Sequence, residues 1–230
     1  MRTFFVAPTV LAAALVSSAA LAEEETQPST ITAPAGALEL TTGIGYSRGF
    51  GNIAKDHAAG VGDLGRSGLA TGIGIGYRIN PRYMVGIYGQ MERFTQGNGA
   101  PDGSRVLSAA AGVQGQYHFM PFNRFVPWVG LGAGWRGYWV SNDALATHSL
   151  HGLDVLRATF GLDYKIADSW ILTPMMGATM TMFLSEQRSN ETGFGSIESP
   201  RLNTFVFAGM GGRFDIGGTR VSAPQEVASR

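Results

Sequence analysis

The chain has 230 residues, 33 of them glycine, no cysteine and a formal net charge of zero. At 15% charged residues it is poorer in charge than the roughly 25% of ordinary soluble domains, yet no stretch reaches the roughly 18 apolar residues of a spanning helix. Equal numbers of basic and acidic residues leave no electrostatic footprint for nucleic acid, the absence of cysteine removes disulfides and thiolate sites, and four scattered histidines do not compose a metal centre, so no cofactor is expected.

Residues 1–22 carry Arg2, an apolar run from Phe4 to Val16 and small residues ending Ala20-Leu21-Ala22. That is the order of a secretory signal peptide with an A-x-A cleavage site. The mature chain is expected to start at Glu23, outside the cytoplasm, and residues 23–37, rich in Thr, Pro and Ala, to form a flexible lead-in.

From residue 38 onward, apolar residues recur at every second position. Residues 38–48 set Leu38, Leu40, Ile44 and Tyr46 against Glu39, Gly43, Gly45 and Ser47. In 68–79, Ile73, Ile75, Tyr77 and Ile79 alternate with Gly72, Gly74, Gly76 and Arg78; after Asn80-Pro81-Arg82 the pattern restarts over 83–94, with Tyr83, Val85 and Ile87 opposite Gly86, Tyr88, Gln90 and Glu92. Residues 105–119 set Leu107, Val113, Tyr117 and Phe119 against Ser108, Gln114, Gln116 and His118, and 125–139 set Phe125, Val129, Leu131 and Trp135 against Gly130, Gly132, Gly134 and Arg136. Residues 155–166 give the cleanest alternation, with Leu156, Phe160, Leu162, Tyr164 and Ile166 opposite Arg157, Thr159, Asp163 and Lys165. The last two segments, 170–183 and 202–216, oppose Trp170, Leu172, Met176 and Met180 to Thr173, Thr179 and Thr181, and Val206, Met210, Phe214 and Ile216 to Gly211, Arg213 and Asp215. Period-two alternation is the mark of a strand with two different faces.

These eight segments exceed the roughly five or six residues of soluble strands and match tilted transmembrane strands. Short turns fall near Asn80-Pro81, 120–124 and 167–169, whereas longer Gly-, Asn-, Ser- and Asp-rich loops are expected at 49–67, 95–104, 140–154 and 184–201. The expected fold is all-β: an eight-stranded antiparallel up-and-down transmembrane β-barrel over 38–216, with 217–230 a C-terminal tail. Lipid takes the aliphatic face, the glycine-and-charge face lines a narrow interior, and closure satisfies every edge that hydrocarbon could not. A soluble sandwich or lipocalin-like barrel would bury the aliphatic face and present a nearly bare glycine exterior. At the short-turn end, Tyr77, Tyr83, Tyr117, Phe119, Phe125, Tyr164, Trp170 and Phe214 would form one interfacial girdle.

With these strands, a leader, and Phe125-Val-Pro-Trp-Val-Gly-Leu-Gly-Ala-Gly-Trp135 after a short turn, the chain resembles the small outer-membrane β-barrel superfamily, which includes OmpA-type transmembrane domains and OmpX/Ail-like and OmpW-like proteins. The resemblance implies a bacterial outer-membrane location, short turns periplasmic and long loops extracellular. Its partners would be outer-membrane lipid, the barrel-assembly machinery during insertion and a surface ligand, the barrel being a monomer that binds no nucleic acid. It also implies an assembly signal, Gly-x-x-Φ-x-Φ, which Gly211, Phe214 and Ile216 fit.

Local matches to enzyme motifs lack their structural setting. Gly45-Tyr46-Ser47-Arg48-Gly49 spells G-x-S-x-G without a following helix, and Gly60-Val61-Gly62-Asp63-Leu64-Gly65 spells G-x-G-x-x-G in what reads as a mobile surface loop. His148, Ser149 and His151, near Asp154, invite comparison with barrels that deacylate lipid A, but the segment reads as loop. The inward charges are the coherent group: Glu39, Arg78, His118, Asp163, Lys165, Arg213 and Asp215 toward the short-turn end, and Glu92, Arg136 and Arg157 toward the other. They predict a mutually paired plug in a lumen only wide enough for side chains. The expected function is therefore non-enzymatic, structural or surface-interacting; the alternatives are an OmpW-like conduit for small hydrophobic molecules and an outer-leaflet lipid-modifying enzyme.

Overall fold

The computed structural model describes residues 31–55, 59–142, 148–167, 169–187 and 193–223. In chain order its elements are β1 (Ala33–Ala35), β2 (Ala37–Phe50), α1 (Val61–Leu64), β3 (Gly65–Arg78), β4 (Tyr83–Gln96), β5 (Arg105–His118), β6 (Phe125–Ser141), β7 (His148–Lys165), β8 (Trp170–Gln187), β9 (Gly195–Ser196), β10 (Leu202–Ile216) and β11 (Thr219–Val221). Strands β2 to β8 each pair antiparallel with the next, and β10 pairs with both β8 and β2. The sheet thus closes into an eight-stranded barrel, with β9 a two-residue extension beside β8.

The strand faces follow from the alternation. Outward positions such as Ile73, Ile87, Val113, Leu131, Phe160 and Met176 are exposed, whereas Arg78, Glu92, His118, Arg136, Asp163 and Arg213 are buried. Local chemistry sets the tight turns: the Asn80 carboxamide oxygen accepts from the amides of Arg82 (2.9 Å) and Tyr83 (3.0 Å), which reverses the chain between β3 and β4.

Strands reach farther at the long-loop end than the alternation predicts. β3 starts at Gly65, β6 runs to Ser141, β7 starts at His148 and β8 ends at Gln187, so much of the expected 140–154 loop is strand. The alternation lapses there because bulges interrupt it: Val155 and Leu156 together oppose Ala133, and both point outward.

The expected mobile loop around Gly60–Gly65 is instead the helical turn α1, with Val61 and Leu64 buried. They join Ile53, Phe94, Val106, Tyr138, Leu150, Phe183 and Phe205 in an apolar cluster that fills the long-loop mouth. Burying each such aliphatic side chain is worth about 1.5–3 kcal/mol, enough to hold a segment whose sequence carries no periodicity.

The short-turn end is covered as well. The lead-in is not wholly flexible, because β1 pairs with β11 of the tail in a two-stranded ribbon. Gly36 (φ +62°), Gly217 (+68°) and Gly218 (+74°) supply the left-handed turns between this ribbon and the barrel. Lys165 on β7 donates to the carbonyl of Thr32 (3.0 Å), so the segment entering β1 crosses the mouth. The signal-peptide residues 1–22, and residues 23–30 and 224–230, lie outside the described residues.

Candidate functional site: the lumen

Two charged layers cross the interior. In the layer nearer the long loops, Arg136 of β6 is fully buried. Its Nη1 donates to Glu92 of β4, and its Nε and Nη2 donate to Asp154 Oδ1 (3.0 Å) and Oδ2 (3.3 Å) of β7. Each carboxylate is then satisfied by neighbours: Ser47 (2.7 Å) and Gln90 (2.8 Å) donate to Glu92 Oε1, and Thr181 (2.6 Å) donates to Asp154 Oδ1. The guanidinium also lies 4.1 Å from the Phe205 ring centre, against the apolar cluster of the mouth. The fork of five donors on a planar group lets one arginine tie β6 to both β4 and β7 across the interior.

In the layer nearer the short turns, Arg213 of β10 pairs with Asp163 (3.1 Å) and Glu39 (3.2 Å), and Arg78 of β3 pairs with Glu39 through Nε (3.0 Å) and Nη2. Both guanidiniums face His118 Nε2, at 2.6 and 3.3 Å, so that nitrogen serves as acceptor. Asp163 Oδ1 further accepts from Trp128 Nε1 and Thr173, both at 2.8 Å. Trp128 fits because its neighbour across the ladder is Gly161, where any Cβ would collide with the indole.

Nine of the ten predicted interior charges are buried, and Lys165 is half-buried at the short-turn end. There it bonds the carbonyls of Thr32 and Pro121 (2.6 Å) rather than a carboxylate. Asp215 finds its cation in the tail, at Arg220 (3.6 Å). Arg157 stands apart, as described below. The sequence reading missed Asp154, which it assigned to a loop; continuing the alternation back across the Val155-Leu156 bulge recovers it.

The eight predicted girdle aromatics lie on the outer face near the short turns, and seven of them pack ring against ring: Tyr83 with Tyr117 and Tyr117 with Phe119 (each 5.1 Å), Phe125 with Tyr164 (5.0 Å) and Trp170 with Phe214 (5.9 Å). Gly211 is buried, Phe214 half-buried and Ile216 exposed at the end of β10. A second aromatic group, unforeseen, clusters near the long loops, where His151 contacts Trp135, Trp139 and Phe194 at 6.1, 5.7 and 5.2 Å. His148 pairs with Glu186 (3.3 Å), and strand alternation turns Ser149 to the opposite face. Among the described residues no group of three His, Cys, Asp or Glu side chains could hold a metal ion.

The closed meander of eight antiparallel strands has solved counterparts. Neisserial surface protein A (NspA) is similar, with a TM-score of 0.52 at 13% identity over 77% of this chain and 96% of NspA. The chain has the fold of the small eight-stranded outer-membrane β-barrels. OprG of Pseudomonas aeruginosa gives a TM-score of 0.49 at 13% identity over 79% of this chain and 97% of OprG. The outer-membrane protein AlkL gives 0.46 at 17% identity over 89% of this chain and 100% of AlkL. No protein-family model matches the chain, and no curated protein matches it in sequence.

Proposed function

We propose that this is a non-enzymatic barrel of a bacterial outer membrane, with a closed lumen and a structural or surface-interaction role, its long loops extracellular and its short turns periplasmic. The observation that carries the closed lumen is Arg136, fully buried and bound on both sides by the carboxylates of Glu92 and Asp154. A buried charge is stabilised when neighbours of opposite sign fill the space around it, and a layer filled in that way leaves no continuous water path. Membrane residence is supported by the exposed aliphatic belt and by the fold shared with NspA, which is named a surface protein. The girdle would sit at the periplasmic interface, and Gly211, Phe214 and Ile216 would be read by the assembly machinery as the barrel inserts as a monomer. A conduit for hydrophobic molecules would need the mouth that Ile53, Val61 and Leu64 occupy.

Planar-bilayer recording tests the reading. Purified wild-type protein should give little or no steady conductance, and Arg136→Ala, which strands two carboxylates that recruit water, should leak. Stable, reproducible wild-type channels would overturn the closed lumen in favour of transport.

A further inference from the structure

Between the two charged layers the interior is not filled. A cavity of about 90 Å³ lies there, reached by Arg157 from one side and Arg213 from the other. Glycines make the room: the wall of β2 and β3 is largely backbone, and a Cβ on Gly72 would meet nothing nearer than the Gly89 carbonyl at 3.7 Å. Among the described residues, none that lines the cavity is acidic. Glu39 and Asp163 engage Arg213, and Glu92 and Asp154 engage Arg136, all outside its walls.

Arg157 is the unmatched member. It is buried, yet among the described residues no carboxylate pairs with it. Its Nη1 donates to Gln90 Oε1 (2.7 Å), its guanidinium lies 4.5 Å from the Tyr88 ring centre and 4.7 Å from that of Phe207, and its Nε has no acceptor. The Tyr88 hydroxyl has no partner either. Both groups belong to residues lining the cavity, both can donate, and neither has an acceptor within reach. The space has room for several waters. Water would supply acceptors but no charge; an anion supplies both. We infer that this cavity is a binding site for one small monovalent anion, a halide or a short carboxylate, held between Arg157 and Arg213. The site goes beyond the closed-lumen reading and does not depend on the membrane role.

Trp128 lines the cavity and reports on it. In the variant Trp135→Phe/Trp139→Phe/Trp170→Phe, Trp128 is the sole indole. Refolded in increasing iodide against fluoride at constant ionic strength, it should show saturable quenching that chloride reverses. Adding Arg157→Gln should weaken iodide binding by about tenfold or more, the worth of one hydrogen bond to a charged group. Arg157→Lys should retain saturation, and Gly72→Leu, which fills the space, should abolish it. Linear quenching that is equal with and without Arg157 would overturn the site. Should the triple variant fail to fold, wild-type crystals grown in bromide decide: an anomalous peak between the two arginines is expected, and ordered water alone there overturns the proposal.

Discussion

Removing the Arg136 guanidinium would leave Glu92 and Asp154 buried together without the cation that pairs with both. Breaking a buried pair from one side costs about 3–5 kcal/mol, so Arg136→Ala should lose its heat-modifiable gel shift at clearly lower urea than the wild type. A change of less than about 1 kcal/mol would mean that solvent already reaches the layer. Gly161→Ala probes packing at the other layer. Its Cβ collides with the Trp128 indole that donates to Asp163, at an expected cost of about 1–3 kcal/mol, whereas Gly115→Ala has only the Met84 carbonyl at 3.8 Å and should change stability by less than about 0.5 kcal/mol. Most of the interior charges are legible in the sequence because period-two alternation assigns each residue a face before any partner is known. Who pairs with whom is not legible, since Glu92, Arg136 and Asp154 meet only once strand order and register bring three separate strands to one height. Asp154 also escaped because a bulge resets the phase just after it.

The eight long strands are readable one at a time, since each carries its own two-faced pattern, but the segments that close the mouths are not. Val61 and Leu64 sit in a run with no period, and β1 is three residues of Ala and Pro; both owe their order to contacts made elsewhere in the chain. The strand pattern supports a test of depth in lipid. Val113 points outward midway along β5, opposite Ile87 and Ala133, with 62% of its surface exposed, whereas Leu107 points outward near the long-loop end of the same strand, opposite Arg93 and Trp139. Arginine at a bilayer midplane costs a barrel about 2–4 kcal/mol and near an interface about 0–1 kcal/mol. Val113→Arg should therefore impair folding into lipid vesicles far more than Leu107→Arg, as read from the urea midpoint of each. Equal effects would remove lipid from the outer face.

At the scale of the whole molecule, the proposed orientation, with long loops outside and short turns in the periplasm, is tested by access from outside the cell. A protease site inserted after Asn98 should be cut on intact cells, while one after Asn80 should be cut only once the outer membrane is breached; the opposite order would invert the barrel. The strands that close the cylinder, β2 and β10, are the first and last of the eight, so their meeting shuts a loop of nearly the whole barrel sequence and is slow to find. The β1–β11 ribbon prolongs that seam past Gly36 and Gly217-Gly218. Whichever of the two pairings forms first becomes a short tether for the other, raising its effective concentration many-fold without any new contact. The ribbon is thus a latch on the seam, and because β10 follows every other barrel strand in the chain, the sheet keeps two open edges until residues 202–216 have docked between β8 and β2.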